Sequence, residues 1–337
     1  MSNPIQGPPA IFHMMQAGYV AAILHAGVRL NVFGAIDGGA HSAAAIGAKI
    51  GAPERPTKIL LDALAVTGLV VTKGEGNYGL SELSSEHLVP GRQKYMGDMV
   101  GVFGDELTWS GLPRLHEAVQ KGGSVIERPI ESPEHKFWEG YATSIGAIAT
   151  ASAMALDALI GPWLEKRPKA RILDVACGPG IYGYVLAKHP NVEATLLDWP
   201  NVLPHARKWG ERMQADMSRV KFIEGDLFSV DWKGPYDFVL LSHVLHHFDR
   251  ELCQTLANKA AAATAPGGRV AINEFVTDDG NPAGAMFSVV MLNTTRQGQA
   301  YSTKEYGAWL VEAGFANVAV HTSQVLPTSM LLGDKPA

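Results

Sequence analysis

The chain falls into two stretches with different hydrophobic periods, and the change comes at about residue 171. Before it, apolar residues recur at helical spacing. Residues 18–36 are apolar on more than one face and read as a single helix buried in its own core or against another subunit. Ser42 is placed to cap a short helix over 43–50 that stops at Gly51. Pro53 and Pro56 mark the start of a next helix, which runs to about Thr67 and ends at Gly68. Two short strands follow, 69–72 and 77–80, around a turn at 73–76. Helix, turn, helix and two-stranded wing make a winged-helix pattern. Residues 101–160 read as helices rich in aromatic and small residues, among them Trp109, Trp138 and Tyr141, with a long helix over 144–159.

From residue 171 short apolar runs alternate with helical segments: 171–176, 193–198, 220–224, 236–242 and 269–274. Runs of that length between helices predict parallel strands covered on both faces. Right-handed crossovers then give a doubly wound α/β sheet. Residues 316–322 and 329–332, with a turn at Pro327, predict a closing antiparallel pair. The domains expected are 1–100 and 101–337, with 101–160 as helical linker and pocket wall.

Composition narrows the function. Hydrophobic residues make up 47% and charged residues 18%, enough for sizeable cores. A net charge of −5 gives no pull toward nucleic acid. The winged region balances seven basic residues against seven acidic ones, and its candidate recognition helix carries Arg55 and Lys58 beside Glu54 and Asp62. A neutral domain lacks the phosphate neutralisation that supplies most DNA affinity, so a dimerisation role is expected over a DNA-binding regulator. Cys177 and Cys253 have neither disulfide nor metal spacing, and no metal is expected. The first basic residue is Arg29, so no signal peptide is indicated, and no apolar run was read as long enough to span a bilayer. These features predict a soluble, cytoplasmic protein.

The candidate chemistry begins at the first strand end, Asp174-Val175-Ala176-Cys177-Gly178-Pro179-Gly180-Ile181-Tyr182-Gly183. Gly178 and Gly180 let the backbone turn sharply beside a ligand. Residues 178–183 formally match the G-x-G-x-x-G of dinucleotide sites. Asp174, however, suits an ammonium group and would repel a pyrophosphate. Asp198, at the next strand end, can take a ribose diol. Asp226, in Gly225-Asp226-Leu227-Phe228, can accept from an adenine amino group, with Leu227 or Phe228 against the ring. Those placements favour S-adenosyl-L-methionine over a dinucleotide. Asp226 could instead cap a helix.

Four segments carry a family resemblance: the Asp174–Gly180 turn, Leu197-Asp198-Trp199-Pro200, Gly225-Asp226-Leu227-Phe228 and Leu245-His246-His247-Phe248-Asp249. They resemble the class I S-adenosylmethionine-dependent small-molecule O-methyltransferases of the caffeate and hydroxyindole type, bacterial relatives included, over nearly the whole chain. The resemblance implies a Rossmann-like seven-stranded methyltransferase domain and an N-terminal, mainly α winged-helix dimerisation domain joining a homodimer. It implies Trp199 and Ser242 as further cofactor contacts and methyl transfer to a hydroxyl, phenolic by expectation, of a small molecule. His246 matches the family's general base and Glu274 an acid that orients it. A second acid is expected near Ala300 and is missing; Asp249 could substitute. Ala176 replaces the first glycine of the family's cofactor loop. Met286 and Met291 match a pocket-wall helix over 285–295, and Trp138, Tyr141, Phe12, Met15 and Trp109 are further acceptor-side candidates. Methylation of carbon, nitrogen or sulfur, and a cofactor-binding but non-methylating reaction, remain alternatives.

Overall fold

The computed structural model describes residues 8–322 and 327–337, and it divides into two compact units, Met1–Gly104 and Asp105–Ala337. The boundary lies four residues beyond the expected residue 100.

The first unit holds the expected winged pattern. Ser42 caps helix Ala43–Ile50 by accepting the Ala45 N–H, and Gly51 ends it in the left-handed conformation at φ 70°. Helix Glu54–Val66 follows, then an antiparallel wing of β1 (Val70–Thr72) and β2 (Tyr78–Leu80). Val32, Phe33, Ile46, Leu61, Leu64, Val70 and Tyr78 close the core. In helix Glu54–Val66 the Lys58 ammonium is paired with Asp62 at 2.7 Å, and Asp62 also accepts from the Tyr78 hydroxyl.

One N-terminal expectation is corrected. Residues 18–36 are two helices, Pro8–Arg29 and Val32–Asp37, broken where Asn31 takes φ 55°, a conformation Asn tolerates. In the first of them only Gly27 is buried within this chain. Ile11, Phe12, Met14, Met15, Tyr19 and Val20 are all at least half exposed, while Ile23 and Val28 further along pack on the core of the unit. A second correction concerns the same helix. Its 22 residues are long and apolar enough by composition to cross a bilayer, contrary to the expectation that no run would be.

The second unit is built on a seven-stranded sheet: β3 (Ala170–Val175), β4 (Val192–Asp198), β5 (Val220–Glu224), β6 (Tyr236–Ser242), β7 (Thr264–Phe275), β8 (Ala316–Thr322) and β9 (Thr328–Asp334). The order is β5-β4-β3-β6-β7-β9-β8. β3 to β7 pair in parallel, and β9 joins β7 and β8 antiparallel. Among the helices packed with the sheet are Gly146–Leu164, Ile181–Leu186 and Arg250–Ala263, and β3, β4 and β6 are buried almost throughout, as parallel strands covered on both sides must be. The strand order reverses between β3 and β6, which opens a crevice above their C-terminal ends. The turn after β3 and the segment after β6 therefore meet there. The loop expected at Pro327 begins in residues outside those described.

Candidate active site at the strand ends

The turn after β3 bends through three left-handed residues, Ala176 (φ 55°), Gly178 (φ 54°) and Gly180 (φ 73°). The glycines differ in purpose. A Cβ on Gly180 would stand 2.8 Å from Leu196 Cδ1, and one on Gly183 would stand 2.3 Å from Leu196 Cδ2, so both let helix Ile181–Leu186 sit close on β4. At Gly178 the nearest atom to a Cβ is a Tyr141 ring carbon at 4.0 Å, so this glycine faces space. The formal dinucleotide match thus contains two packing glycines and one that opens the turn.

Two buried carboxylates flank it. Asp174 accepts the Gly183 N–H at 3.2 Å. Burial drives its pKa well above the ordinary carboxylate range; that bond opposes the rise and Asp198 adds to it. Asp198 accepts the Gly178 N–H on one oxygen and the Trp199 N–H on the other, each at 2.7 Å. Burial lifts it to about 6 against those bonds. A cationic group placed beside them would oppose the shift. A pyrophosphate would worsen it. Trp199 is half-buried beside Asp198.

Beyond β5, Gly225 takes φ 143° and its N–H donates to the Asp198 carbonyl, which brings this loop beside the first. Asp226 accepts the Phe228 N–H at 2.8 Å and closes a turn; no helix starts there, so it is not a helix cap. Leu227 is buried and packs with Trp232, and Phe228 is half-buried and edge-on to Phe248.

After β6 comes a tight segment. Ser242 is buried, 3.1 Å from Asn273 Nδ2. His243 is left-handed at φ 54°, and burial lowers its pKa to about 4. The 3-10 turn Leu245–His247 then turns His246 toward β7. His246 Nδ1 lies 2.6 Å from Glu274 Oε2, with both side chains almost wholly buried. Glu274 Oε1 accepts the Leu245 N–H at 2.9 Å and the His246 N–H at 3.4 Å. Burial pushes the imidazole below its ordinary pKa and the carboxyl up to about 7. With Glu274 ionised and accepting from Nδ1–H, Nε2 keeps a free lone pair: a neutral, oriented base.

Aromatic rings surround it. Trp138 and Tyr141 lie on helix Phe137–Ser144. Trp138 is edge-on to His247 at 5.0 Å, with its Nε1–H donating to the Ile130 carbonyl. His247 is 4.2 Å from His246 between centroids, and Phe287 is 4.6 Å away. Phe287, stacked at 3.9 Å on Phe275, was missed by the sequence reading. It lies on helix Pro282–Thr294 four residues before the buried Met291, so both share a face. Met286, next to Phe287 on the same helix, is 67% exposed in this chain. Trp109 is half-buried on helix Glu106–Gly111, while Phe12 and Met15 are exposed in the first unit. Asp249 does not supply a second acid for His246, because its carboxylate caps helix Arg250–Ala263 through the Leu252 N–H.

Comparison with known proteins agrees with this geometry. Residues 150–316 match the O-methyltransferase domain and residues 12–90 the O-methyltransferase dimerisation domain. The chain is 30% identical to the 3-hydroxy-5-methyl-1-naphthoate 3-O-methyltransferase of Streptomyces sahachiroi, over 88% of this chain and 86% of that one. This chain belongs to the S-adenosylmethionine-dependent O-methyltransferase family of the caffeate and hydroxyindole type. A crystal structure of a candidate O-methyltransferase from Nostoc punctiforme superposes on the methyltransferase with a TM-score of 0.91 at 32% identity, covering 98% and 100% of the two chains. Human N-acetylserotonin methyltransferase, solved with S-adenosylmethionine, shares the fold at TM-score 0.85 and 21% identity over the full length of both. The methyltransferase therefore has the class I fold, uses S-adenosylmethionine and acts on hydroxyl groups of small molecules.

Proposed function

We propose that this methyltransferase transfers a methyl group to a phenolic hydroxyl of an aromatic acceptor, with His246 as general base and Glu274 as the carboxylate that orients it. The observation that carries this reading is the 2.6 Å His246–Glu274 pairing inside a cage of aromatic rings.

S-adenosylmethionine, when bound, supplies an electrophilic methyl on a positively charged sulfur. Asp174 would hold its ammonium group, Asp198 its ribose diol and Asp226 its adenine amino group. Gly178, Gly180, Trp199, Gly225, Phe228 and Ser242 would shape the rest of the seat, with Leu227 acting from the core behind. His246 Nε2 takes the acceptor's hydroxyl proton as the oxygen attacks, and Glu274 balances the imidazolium that forms. Trp138, Tyr141, Phe287 and Met291 exclude water and hold the ring, so that alignment supplies much of the acceleration. Isothermal titration with S-adenosylmethionine and NAD, followed by turnover on a panel of phenols, tests the reading. Binding of NAD alone would overturn it.

A pH dependence follows from the pair. Its working state is carboxylate plus neutral imidazole. As pH falls through about 7 the pair gains a proton, Nε2 loses its lone pair and kcat/KM declines. Glu274→Gln removes the titrating carboxyl, so the plateau drops while the acid limb moves below the ordinary imidazole value. An unchanged limb in that variant would show that another group titrates.

The first unit, 1–100 in the sequence reading, is read as the homodimer surface. Its support is the dimerisation-domain match and the row Ile11, Phe12, Met15, Tyr19 and Val20, which this chain leaves uncovered. The same surface accounts for the apolar helix without a membrane. Met15→Glu with Tyr19→Glu is expected to yield monomers in light scattering. A dimer of native mass would count against this surface. Free Cys177 and Cys253 fit a reducing, cytoplasmic setting.

A further inference from the structure

The turn that carries His246 is held on both of its backbone edges. Glu274 holds the N–H edge, at Leu245 and His246. The carbonyl edge is held by other side chains. Cys253 Sγ donates to the Leu245 carbonyl at 3.2 Å, and the Tyr301 hydroxyl donates to the Phe248 carbonyl at 2.7 Å. Tyr301 is 2% exposed and wedged edge-on against Trp309 at 4.9 Å and Tyr306 at 5.8 Å.

Tyr301 belongs to a strap, residues 295–301, that lies directly on the turn. A Cβ on Gly298 would stand 2.4 Å from the His246 carbonyl oxygen and 2.9 Å from the His247 carbonyl carbon, so only glycine permits this approach. Both ends of the strap are fastened. The Gly298 N–H donates to Thr295 Oγ1, which donates in turn to the Met291 carbonyl. The Tyr301 carbonyl accepts the Thr277 N–H, three residues beyond Glu274. Ala300, where a second carboxylate was expected, instead has its N–H on Ser288 Oγ at 3.2 Å.

We propose that Tyr301 is a positioning residue for His246, fixing the base turn through the Phe248 carbonyl in place of a second carboxylate, with Gly298 setting the strap's distance. This rests on His246 being the base. A turn left loose on its carbonyl edge lets Nε2 wander from the hydroxyl, and displacements of about 1 Å cost on the order of 100-fold in rate. Loss of one of several fastenings should cost less.

The test is a double-mutant cycle of Tyr301→Phe with His246→Ala, read as kcat on a phenol the native enzyme methylates. Affinity for S-adenosylhomocysteine is measured alongside. Tyr301→Phe should lower kcat about tenfold in the native background, change it less than about twofold in the His246→Ala background, and leave the cofactor product's affinity unaltered. Gly298→Ala, which pushes on the turn instead of releasing it, should show the same dependence on His246. Equal losses in both backgrounds, or no loss in either single variant, would overturn the positioning role. Full activity of His246→Ala alone would instead overturn the base assignment, so the two failures are distinguishable.

Discussion

His246→Ala is expected to lower kcat by about three orders of magnitude, within the 10²–10⁴ range that a positioned general base contributes. The imidazole is buried against aromatic rings and oriented by a carboxylate, the arrangement expected of a positioned base. The substitution also leaves Glu274 Oε2 without its partner in a buried place, at a stability cost of about 1–3 kcal/mol. Cofactor affinity should hold, because the hydrogen bonds of His246 run to Glu274 and those of Asp198 to Gly178 and Trp199. Rapid-quench turnover with saturating donor measures the first effect and titration with S-adenosylhomocysteine the second. Native turnover on the native acceptor would remove His246 from the chemistry.

Asp198→Ala is expected to weaken S-adenosylmethionine binding by about 10²–10⁴-fold, since hydrogen bonds to a charged group are worth about 1.5–3 kcal/mol each and a ribose diol would make two. The residue also organises the seat. Its two oxygens fix the Gly178 and Trp199 N–H groups, and its own carbonyl fixes Gly225, so three segments of the crevice meet on one residue. Because burial has lifted this carboxyl to about 6, affinity in the native enzyme should also fall as pH drops below that value, where protonation converts an acceptor into a donor. Calorimetry of the native and Asp198→Ala proteins at neutral and mildly acid pH checks both claims. Equal affinities would mean that the ribose is held elsewhere.

Much of this architecture was legible in the chain. β5, β6 and β8 fall where the apolar runs place them, and β3 and β4 differ by one residue at their ends. Burial on both faces imposes a continuous apolar signal, which few other elements imitate. β7 begins five residues before the run that predicted it, because Thr264 already pairs with Tyr236 and the ladder then passes an irregularity at Pro266, Gly267 and Gly268 before Arg269 pairs with Phe238. Asn31 breaks a helix that periodicity would continue, since a single left-handed residue leaves no trace in hydropathy.

In the site the division is sharper. Asp174, Asp198 and Gly178 could be named from sequence because strand ends of a parallel sheet converge on one crevice, so position along a strand already fixes position in space; His246 and Glu274 were named through the family resemblance, at strand ends of the same crevice. Phe287 could not be assigned, because the choice between core, solvent and pocket is a rotation about a local axis that only packing settles. The grip of Tyr301 and Gly298 on the base turn spans about fifty residues of chain. It depends on a carbonyl meeting a hydroxyl, and main-chain groups are the same at every position of a sequence. The order of side chains determined the sheet, the glycine turn and the acid–base pair; what holds that pair still was decided by tertiary contacts to the backbone, to which the sequence is blind.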